Sequence, residues 1–215
     1  MTLFFKTDHH WKPETGFWAT QKIIKFLNQK LRQNLNENIV KKENFNFKTY
    51  PKLFLGSQGE KVTLSLADPE DFTVITPKFN TDFKLEVYCR DIIKEGNFEK
   101  SLLSPNFLLK NYYEINNLST YLGYITPLAR IHNNLTTNNS KIMFIKDSFI
   151  CVVAPFLSCI TNEIVLVEKR VTQCHFDGSI KKLIKKEKPN IVLILYHCGV
   201  FNPSTSNRQY LHSFE

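Results

Sequence analysis

The chain has 215 residues, of which 42% are hydrophobic and 13% aromatic, enough for one domain with a sizeable core. Seven glycines and nine prolines exclude a collagen-like or low-complexity chain. No run of about 18 apolar residues predicts a membrane span, and the first residues lack the layout of a signal peptide.

Lysine and arginine outnumber acidic residues by 28 to 20, for a net charge of +8. Such a balance is compatible with binding to nucleic acid or to an anionic cell surface, or with solubility alone. Apart from a cluster within residues 181–188, the lysines are scattered. Because Ile180, Leu183 and Ile184 face the other way, the cluster indicates a solvated helix face, and we expect no nucleic-acid binding.

The five cysteines form no Cys-x-x-Cys pair, so neither a zinc ribbon nor a thioredoxin motif is predicted. All five are widely spaced (Cys89, Cys151, Cys159, Cys174 and Cys198), and Cys151, Cys159 and Cys198 lie in apolar runs typical of small core residues. The composition therefore does not require an oxidising compartment.

The N-terminal part predicts a strand at residues 2–6, followed by Asp8-His9-His10-Trp11 and a helix over residues 13–35. The helix has an apolar stripe that we expect to be buried, made of Ala19, Ile23, Ile24, Phe26, Leu27 and Leu31.

The middle region, about residues 45–134, differs in character. Residues 62–68 and 72–79 alternate like half-buried antiparallel strands, and residues 56–60 predict a turn before them. We expect this region to be an insertion that elaborates an α/β core rather than a separate domain.

The C-terminal part carries apolar runs at residues 141–145, 163–168 and 190–196. Residues 149–160 separate the first two and are interrupted at Pro155, and the amphipathic residues 179–188 separate the last two. Buried strands alternating with helices predict a right-handed βαβαβ unit with a parallel sheet covered on both faces.

Two polar motifs follow predicted strands, where open α/β sheets bind their ligands. Ser148 follows Asp147 at the start of a predicted helix, so its own N–H and the following ones are candidates for an oxyanion site. A nearby histidine could accept the serine proton, and a carboxylate two residues from that histidine could orient the ring. The alternatives are a helix cap at Asp147-Ser148 and, for the His-His pair, a surface feature or half a metal site.

A metal site would need further ligands at workable spacing. The remaining histidines are isolated in the sequence, so we expect no metal; they are His132, His175, His197 and His212.

The stretch TDHHWKPETGFWA resembles the signature of the DHHW family, which belongs with the alginate O-acetyltransferase-like proteins of the SGNH hydrolase-like superfamily. The stretch KIMFIKDSFICVVAPFLS is similar to that family's second motif. Weaker similarities are found at residues 56–62, 164–170 and 188–196 and in the pattern of residues that ends at Asn133. The resemblance therefore covers nearly the whole chain.

The resemblance implies a single SGNH hydrolase-like domain over residues 1–215: a three-layer α/β sandwich with a mostly parallel sheet and the insertion at about 45–134. It implies that Asp8 orients His10, that His10 is the general base and that Ser148 is the nucleophile. Related acetyltransferases carry Asp-x-His-Trp, which selects His10 over His9, and Trp11 is expected to pack behind the motif.

Two further residues are candidates for the site. Tyr196, at the end of the last predicted strand, is a candidate substrate contact or, alternatively, a core tyrosine. Asn133 is a candidate for the oxyanion site or, alternatively, an ordinary loop residue. No metal and no cofactor are implied.

The function implied is that of an O-acetyltransferase or acetylesterase acting on cell-surface polysaccharide outside the cytoplasm. Ser148 would be acetylated and pass the acetyl group to a sugar hydroxyl or to water. Because the sequence has no coenzyme A motif, the acetyl donor would come from a membrane partner. The alternative is a non-catalytic or truncated SGNH-like protein with a carbohydrate-binding or structural role.

Members of the family carry an anchor or signal segment and a longer stretch before the motif. We therefore expect either that this chain is a truncated member or that its true start lies upstream.

Overall fold

The computed structural model describes residues 2–123, 128–168 and 179–197. In chain order, the helices and strands are α1 (Pro13–Leu31), β1 (Phe45–Phe54), α2 (Ser57–Val62), β2 (Glu70–Pro77), β3 (Phe83–Val87), β4 (Ile92–Gly96), α3 (Phe98–Leu102), β5 (Leu128–Asn133), β6 (Lys141–Lys146), α4 (Ala154–Leu157), β7 (Glu163–Val167), α5 (Ile180–Glu187) and β8 (Ile191–Leu195). Among these described residues, no helix combines the length and the hydropathy needed to cross a bilayer.

The main sheet has six strands in the order β4-β3-β5-β7-β6-β8, and α/β is confirmed as the fold class. Strands β7, β6 and β8 are parallel, whereas β5, β3 and β4 join them as antiparallel neighbours. The prediction of a mostly parallel sheet is therefore wrong, because the middle region supplies half of the strands. Strands β1 and β2 pair separately as an antiparallel ribbon.

The C-terminal βαβαβ unit is present as predicted. In β6, Ile142 and Phe144 belong to the large core cluster, while Met143 packs on the other face with Leu183 of α5. Since successive strand side chains point to opposite faces, this part of the sheet is covered on both sides. Helix α5 begins where the Ser179 hydroxyl accepts the N–H of Lys182.

Helix α1 ends at Leu31 rather than at residue 35. The Asn28 side chain exchanges two hydrogen bonds of 2.9 Å with the backbone of Leu35, which folds the following segment back onto the helix. Ala19, Ile24 and Leu27 are buried as predicted and Ile23 is partly buried, but two members of the predicted stripe are exposed: Phe26 (51%) and Leu31 (41%).

The predicted strand at residues 2–6 is not a strand of the sheet. Phe4 makes an isolated bridge to Trp11, and the N–H of Phe5 donates to the carbonyl of His10, so the segment folds back on itself.

The middle region departs from the sequence prediction in two places. The predicted turn at residues 56–60 lies within the first part of α2 and its cap, and residues 63–68 form turns and loop rather than a strand. Thr63 has a φ of 63°, which ends the helix in a conformation that a strand cannot adopt. The strand predicted at residues 72–79 is confirmed in β2.

Candidate active site

Ser148 begins a 3₁₀-helix, Ser148–Val152, directly after β6. The preceding residue, Asp147, fixes this turn: its backbone N–H donates to the carbonyl of Leu195 (3.2 Å). Its carboxylate accepts the N–H of Phe149 (3.0 Å) and the N–H of His197 (2.5 Å). The position of Ser148 is thus set by a buried strand and by a cap that ties it to the end of β8.

Asp8 and His10 lie in an irregular loop held by side chains from elsewhere in the chain. The carboxylate of Glu70, the first residue of β2, accepts the N–H of Lys6 (3.0 Å) and both the N–H (2.9 Å) and the hydroxyl (2.8 Å) of Thr7. Three donors on one carboxylate fix the backbone immediately before Asp8.

The loop and the turn after β6 meet through His10. Its Nε2 lies 2.7 Å from the Ser148 Oγ, and its Nδ1 lies 2.5 Å from the Asp8 Oδ1. Asp8 also accepts the N–H of His10 (2.9 Å) on Oδ1 and the N–H of Ser57 (2.8 Å) on Oδ2. The structure therefore places a carboxylate, an imidazole and a hydroxyl in one hydrogen-bonded line.

The line is arranged electrostatically for proton transfer. Burial raises the pKa of Asp8, but the hydrogen bonds from His10 and from the Ser57 N–H outweigh it and hold that pKa well below its ordinary value. An ionised Asp8 accepts a hydrogen bond from the Nδ1–H of His10, which leaves Nε2 as the acceptor facing the Ser148 hydroxyl.

The neighbouring His9 has a different position. Its side chain is 50% exposed, its ring lies on that of His10 at 4.0 Å, and its Nδ1 is 3.6 Å from Asp8. Burial and then the adjacent His10 lower the pKa of His9. Of the two histidines, it is His10 whose ring reaches Ser148.

Phe149 is the centre of an aromatic cluster at the site. Its ring lies 5.4 Å from that of His10, 5.1 Å from that of Trp11 and 5.2 Å from that of His197. Beside Ser148 is a cavity of about 10 Å³, roughly the room one water needs. Its walls include Leu118, Cys151 and Val152.

The fold is similar to those of solved structures. The chain resembles the structure of Bacillus cereus PatB1 with a sulfonyl adduct, with a TM-score of 0.67 and 19% identity over 90% of this chain and 60% of PatB1. A second structure of Bacillus cereus PatB1 matches with a TM-score of 0.63 and 20% identity over 90% of this chain and 62% of PatB1. It also resembles a DHHW family protein from Eubacterium siraeum (0.63, 18%, 91% and 59%). The chain shares its fold with a DHHW family protein.

The chain spans about three-fifths of the length of these structures. The match to the Eubacterium siraeum protein confirms, at the level of the fold, the resemblance to the DHHW family. No protein-family model matches the chain, and no curated protein matches it significantly.

Two of the predicted contributions to the site are not found. Asn133 lies at the opposite edge of the sheet, where its N–H donates to the carbonyl of Asn162 (2.9 Å) and its side chain donates to the carbonyl of Ser158 (2.8 Å). The N–H of Phe149, expected to face an oxyanion, is instead bonded to Asp147. An oxyanion role for Asn133 or for that N–H does not fit the geometry.

Tyr196 follows β8 at the same sheet edge as Ser148 and is partly buried. It is not part of the wall of the small cavity beside Ser148. Its role as a substrate contact stays a prediction.

Sequence reasoning missed the residues that support Asp8. A Cβ on Gly56 would lie 2.2 Å from the Cβ of Asp8, so only glycine lets the start of α2 approach the loop this closely. Glu70 and Ser57 act from about fifty or more positions away, and no local sequence signal joins them to the motif.

A buried ion pair below the site was also missed. Lys146 and Glu168, fully and almost fully buried, meet at 3.0 Å where β6 and β7 end. A lysine at the end of an otherwise apolar strand is the signal that could have found it, because a buried ammonium requires a partner.

The metal alternative rests on Asp8, His9 and His10, whose possible ligand atoms lie within 4.8 Å of one another. The described geometry instead turns Asp8 and His10 towards each other and His10 towards Ser148. Cys151 and Cys159 are buried, and burial raises the pKa of the Cys159 thiol. The predictions for Cys174, His175, Cys198 and His212 lie outside the described residues.

Proposed function

We propose that this chain is a serine-dependent O-acetyltransferase or acetylesterase of the SGNH hydrolase-like kind. The observation that carries the proposal is the continuous path from Asp8 Oδ1 through His10 to Ser148 Oγ, with contacts of 2.5 and 2.7 Å. Such a line activates a hydroxyl that is otherwise a weak nucleophile.

The reaction has two steps. Ser148 Oγ attacks the carbonyl carbon of an acetyl ester while His10 Nε2 takes the hydroxyl proton, and His10 then gives that proton to the leaving alcohol. In the second step a sugar hydroxyl or water attacks the acetyl-serine and loses its proton to His10. The bond between the acetyl carbon and Ser148 Oγ then breaks, and His10 returns the proton to Oγ, which regenerates Ser148. Asp8 stabilises the imidazolium formed in each step.

The acceptor that we propose is a polysaccharide outside the cytoplasm, with an acetyl donor supplied by a membrane partner. Support comes from the sequence resemblance to alginate O-acetyltransferase-like proteins and from the shared fold. One PatB1 structure carries a sulfonyl adduct. Because sulfonyl reagents modify activated nucleophiles, the same chemistry provides a test for this chain.

The test is covalent labelling with a sulfonyl fluoride or fluorophosphonate probe, read by intact mass and by peptide mapping. The wild-type chain should take up one label on Ser148. Ser148→Ala should take up none, and His10→Ala should label far more slowly. With p-nitrophenyl acetate, His10→Ala should lose on the order of 10³-fold or more in kcat/KM, because the residues act as a unit.

Ser65→Ala is the matched control, since Ser65 is an exposed serine in the turn region after α2. It should label and hydrolyse like the wild type. Equal labelling of wild-type and Ser148→Ala protein would exclude Ser148 as the nucleophile and leave a non-catalytic, carbohydrate-binding role as the better account of the fold.

A further inference from the structure

The small cavity beside Ser148 has mostly apolar walls. The residues that surround it are His10, Trp11, Leu118, Ser148, Phe149, Cys151 and Val152. Two of these side chains are strongly polar, and they bond each other, since His10 Nε2 lies 2.7 Å from Ser148 Oγ. A buried water needs about two to four polar partners, whereas an apolar cavity favours an apolar occupant. The walls therefore suit an alkyl group better than a water.

The size of the cavity matches the smallest alkyl group. Its volume of about 10 Å³ is roughly the room that one water needs, and a methyl group is only slightly larger than a water. A longer alkyl chain would have to displace the walls, and forcing an extra methylene into a packed interior is unfavourable. The cavity therefore admits a methyl group and excludes an ethyl or propyl group.

Three of the walls are buried and closely packed. Leu118, Cys151 and Val152 are 3%, 2% and 4% exposed. Val152 lies so close to helix α1 that a Cβ on Gly16 would be 2.6 Å from the Val152 Cγ2, and only a glycine permits this approach. Because α1 backs it directly, the Val152 side chain has no room to retreat from a longer acyl group.

The Leu118 wall comes from the middle region, in the short 3₁₀-helix Asn117–Thr120. The Asn117 side chain anchors this turn by donating to the carbonyls of Phe107 (2.6 Å) and Leu109 (3.2 Å). The middle region supplies no member of the proposed triad, yet it sets one boundary of the cavity next to it.

The cavity lies where the acyl group of a substrate must lie. In the proposed reaction Ser148 Oγ bonds the carbonyl carbon, so the alkyl part of the acyl group is directly attached to the atom that Oγ attacks. Ser148 and His10 both belong to the cavity wall, and Ser148 is partly exposed, which gives an ester access from the solvent. An acyl group on Ser148 would thus place its alkyl part against Leu118 and Val152.

We propose that this cavity holds the methyl group of the acetyl ester, and that Leu118 and Val152 determine acyl-chain length by limiting its size. This inference rests on the proposed function, since it identifies what selects the acyl group that the same serine accepts. It assigns the selection to packing rather than to a polar contact. A water in the cavity is the competing outcome of the test.

The test compares kcat/KM for p-nitrophenyl acetate, propionate and butyrate. In the wild type, propionate should react roughly 10- to 200-fold more slowly than acetate, the effect of one methylene in a close-fitting pocket, and butyrate more slowly still. Leu118→Ala and Val152→Ala remove part of the wall, so each should narrow the gap between acetate and the longer esters by about tenfold or more. Leu118→Met, which conserves volume, should keep the wild-type ratio.

The matched controls are Leu103→Ala and Val153→Ala. Leu103 and Val153 are buried residues of the same two types (5% and 0% exposed) that lie outside the cavity walls. Each control loses core packing as the pocket variants do, and circular dichroism verifies the folding of all five variants. Because a ratio of two esters is measured within one variant, a general loss of active protein cancels, and the controls should keep the wild-type ratio.

The inference is overturned if wild-type protein shows no preference for acetate over propionate. It is also overturned if both pocket variants keep the wild-type ratio, as expected for a cavity that holds a water, or if the controls change the ratio equally. These results leave the labelling of Ser148 intact and so leave the proposed function standing. Absent reaction with every ester, together with absent labelling of Ser148, would overturn the proposed function and this inference with it.

Discussion

The two sides of the proposed triad are held in contrasting ways. Ser148 follows a buried parallel strand and is positioned by its own neighbour, Asp147, with short-range capping and a tie to β8. Asp8 and His10 lie in a loop without regular structure, positioned by Glu70 and by the Ser57 N–H at the start of α2.

The contrast indicates how each side should respond to change. The Ser148 turn follows a strand with a parallel neighbour on each side, so the sheet and the Asp147 cap both hold its backbone, and the loss of one hydrogen bond leaves the others in place. A loop fixed by a few long-range hydrogen bonds depends strongly on each of them. Substitutions on the loop side should therefore cost more activity than comparable ones on the strand side.

The sharpest comparison is between the two aspartates. Asp8→Asn should lower kcat by on the order of 10³–10⁴-fold, because an amide cannot hold the His10 tautomer or stabilise its imidazolium. Asp147→Asn keeps an oxygen for the Phe149 N–H but turns its NH₂ towards the N–H of His197. Because β6 and its two parallel neighbours still hold the turn, we expect kcat to fall by no more than about tenfold. Both are measured with p-nitrophenyl acetate, after circular dichroism has shown native folding.

The outcome that would break the comparison is an equal loss in both variants. It would mean that Asp147 contacts the reacting atoms or that Asp8 only supports the loop.

The lowered pKa of Asp8 in the folded chain also affects stability. The ionised carboxylate stabilises the folded wild type above the ordinary carboxyl pKa, and this stabilisation is lost as the pH falls through the folded-state pKa. Asp8→Asn should lack that acid-dependent part of the unfolding free energy.

A second prediction concerns the anchor of the loop. Glu70→Gln replaces one carboxylate oxygen by an NH₂ group that would face the Lys6 or Thr7 N–H, so a donor meets a donor. We expect a fall in kcat of roughly 10- to 100-fold, since a displacement of about 1 Å has such effects. The free energy of unfolding should fall by about 1–3 kcal/mol.

Asp71→Asn is the control for Glu70→Gln. Asp71 is the next residue of β2 and accepts only the exposed N–H of Lys52 among the hydrogen bonds described. This variant should keep wild-type activity. Activity lost equally in both variants would show that β2 as a whole, and not the Glu70 carboxylate, holds the loop.

The same contrast explains which parts of the structure the sequence predicts. Strands β6, β7 and β8, helix α5 and the Ser148 turn follow from local signals: continuous apolar runs, a serine cap and an aspartate after a strand. The pairing of His10 with Ser148 followed only from the family resemblance, because 138 positions separate them.

The remaining differences arise from long-range contacts. The segment at residues 2–6 has the composition of a strand, but its N–H groups are used by the fold-back on His10 and by Glu70. The antiparallel half of the sheet depends on how β3 and β5 pair across 42 to 50 positions, which periodicity cannot specify.

The smallest predicted effect lies at the sheet edge opposite the site. There Glu187 pairs with Arg130 at 2.7 Å and with Lys141 at 2.8 Å, and Glu163 pairs with the same two cations at 2.9 Å each. Burial raises the pKa of Glu187, but the hydrogen bonds from Lys141 and Arg130 outweigh it and lower that pKa below its ordinary value of 4.5. The network thus stabilises the strand framework when Glu187 is ionised.

Glu187→Gln should lower the free energy of unfolding at neutral pH by on the order of 1 kcal/mol. Because the folded-state pKa is lowered, the difference from the wild type should be complete above about pH 4.5 and should shrink as the pH falls through the folded value. Urea unfolding at several pH values measures it. Hydrolysis of p-nitrophenyl acetate should not change, since the network lies at the end of β6 away from Ser148, whose turn is held by the strand and the Asp147 cap. A loss of activity in this variant would show that the framework and the site are coupled across the sheet.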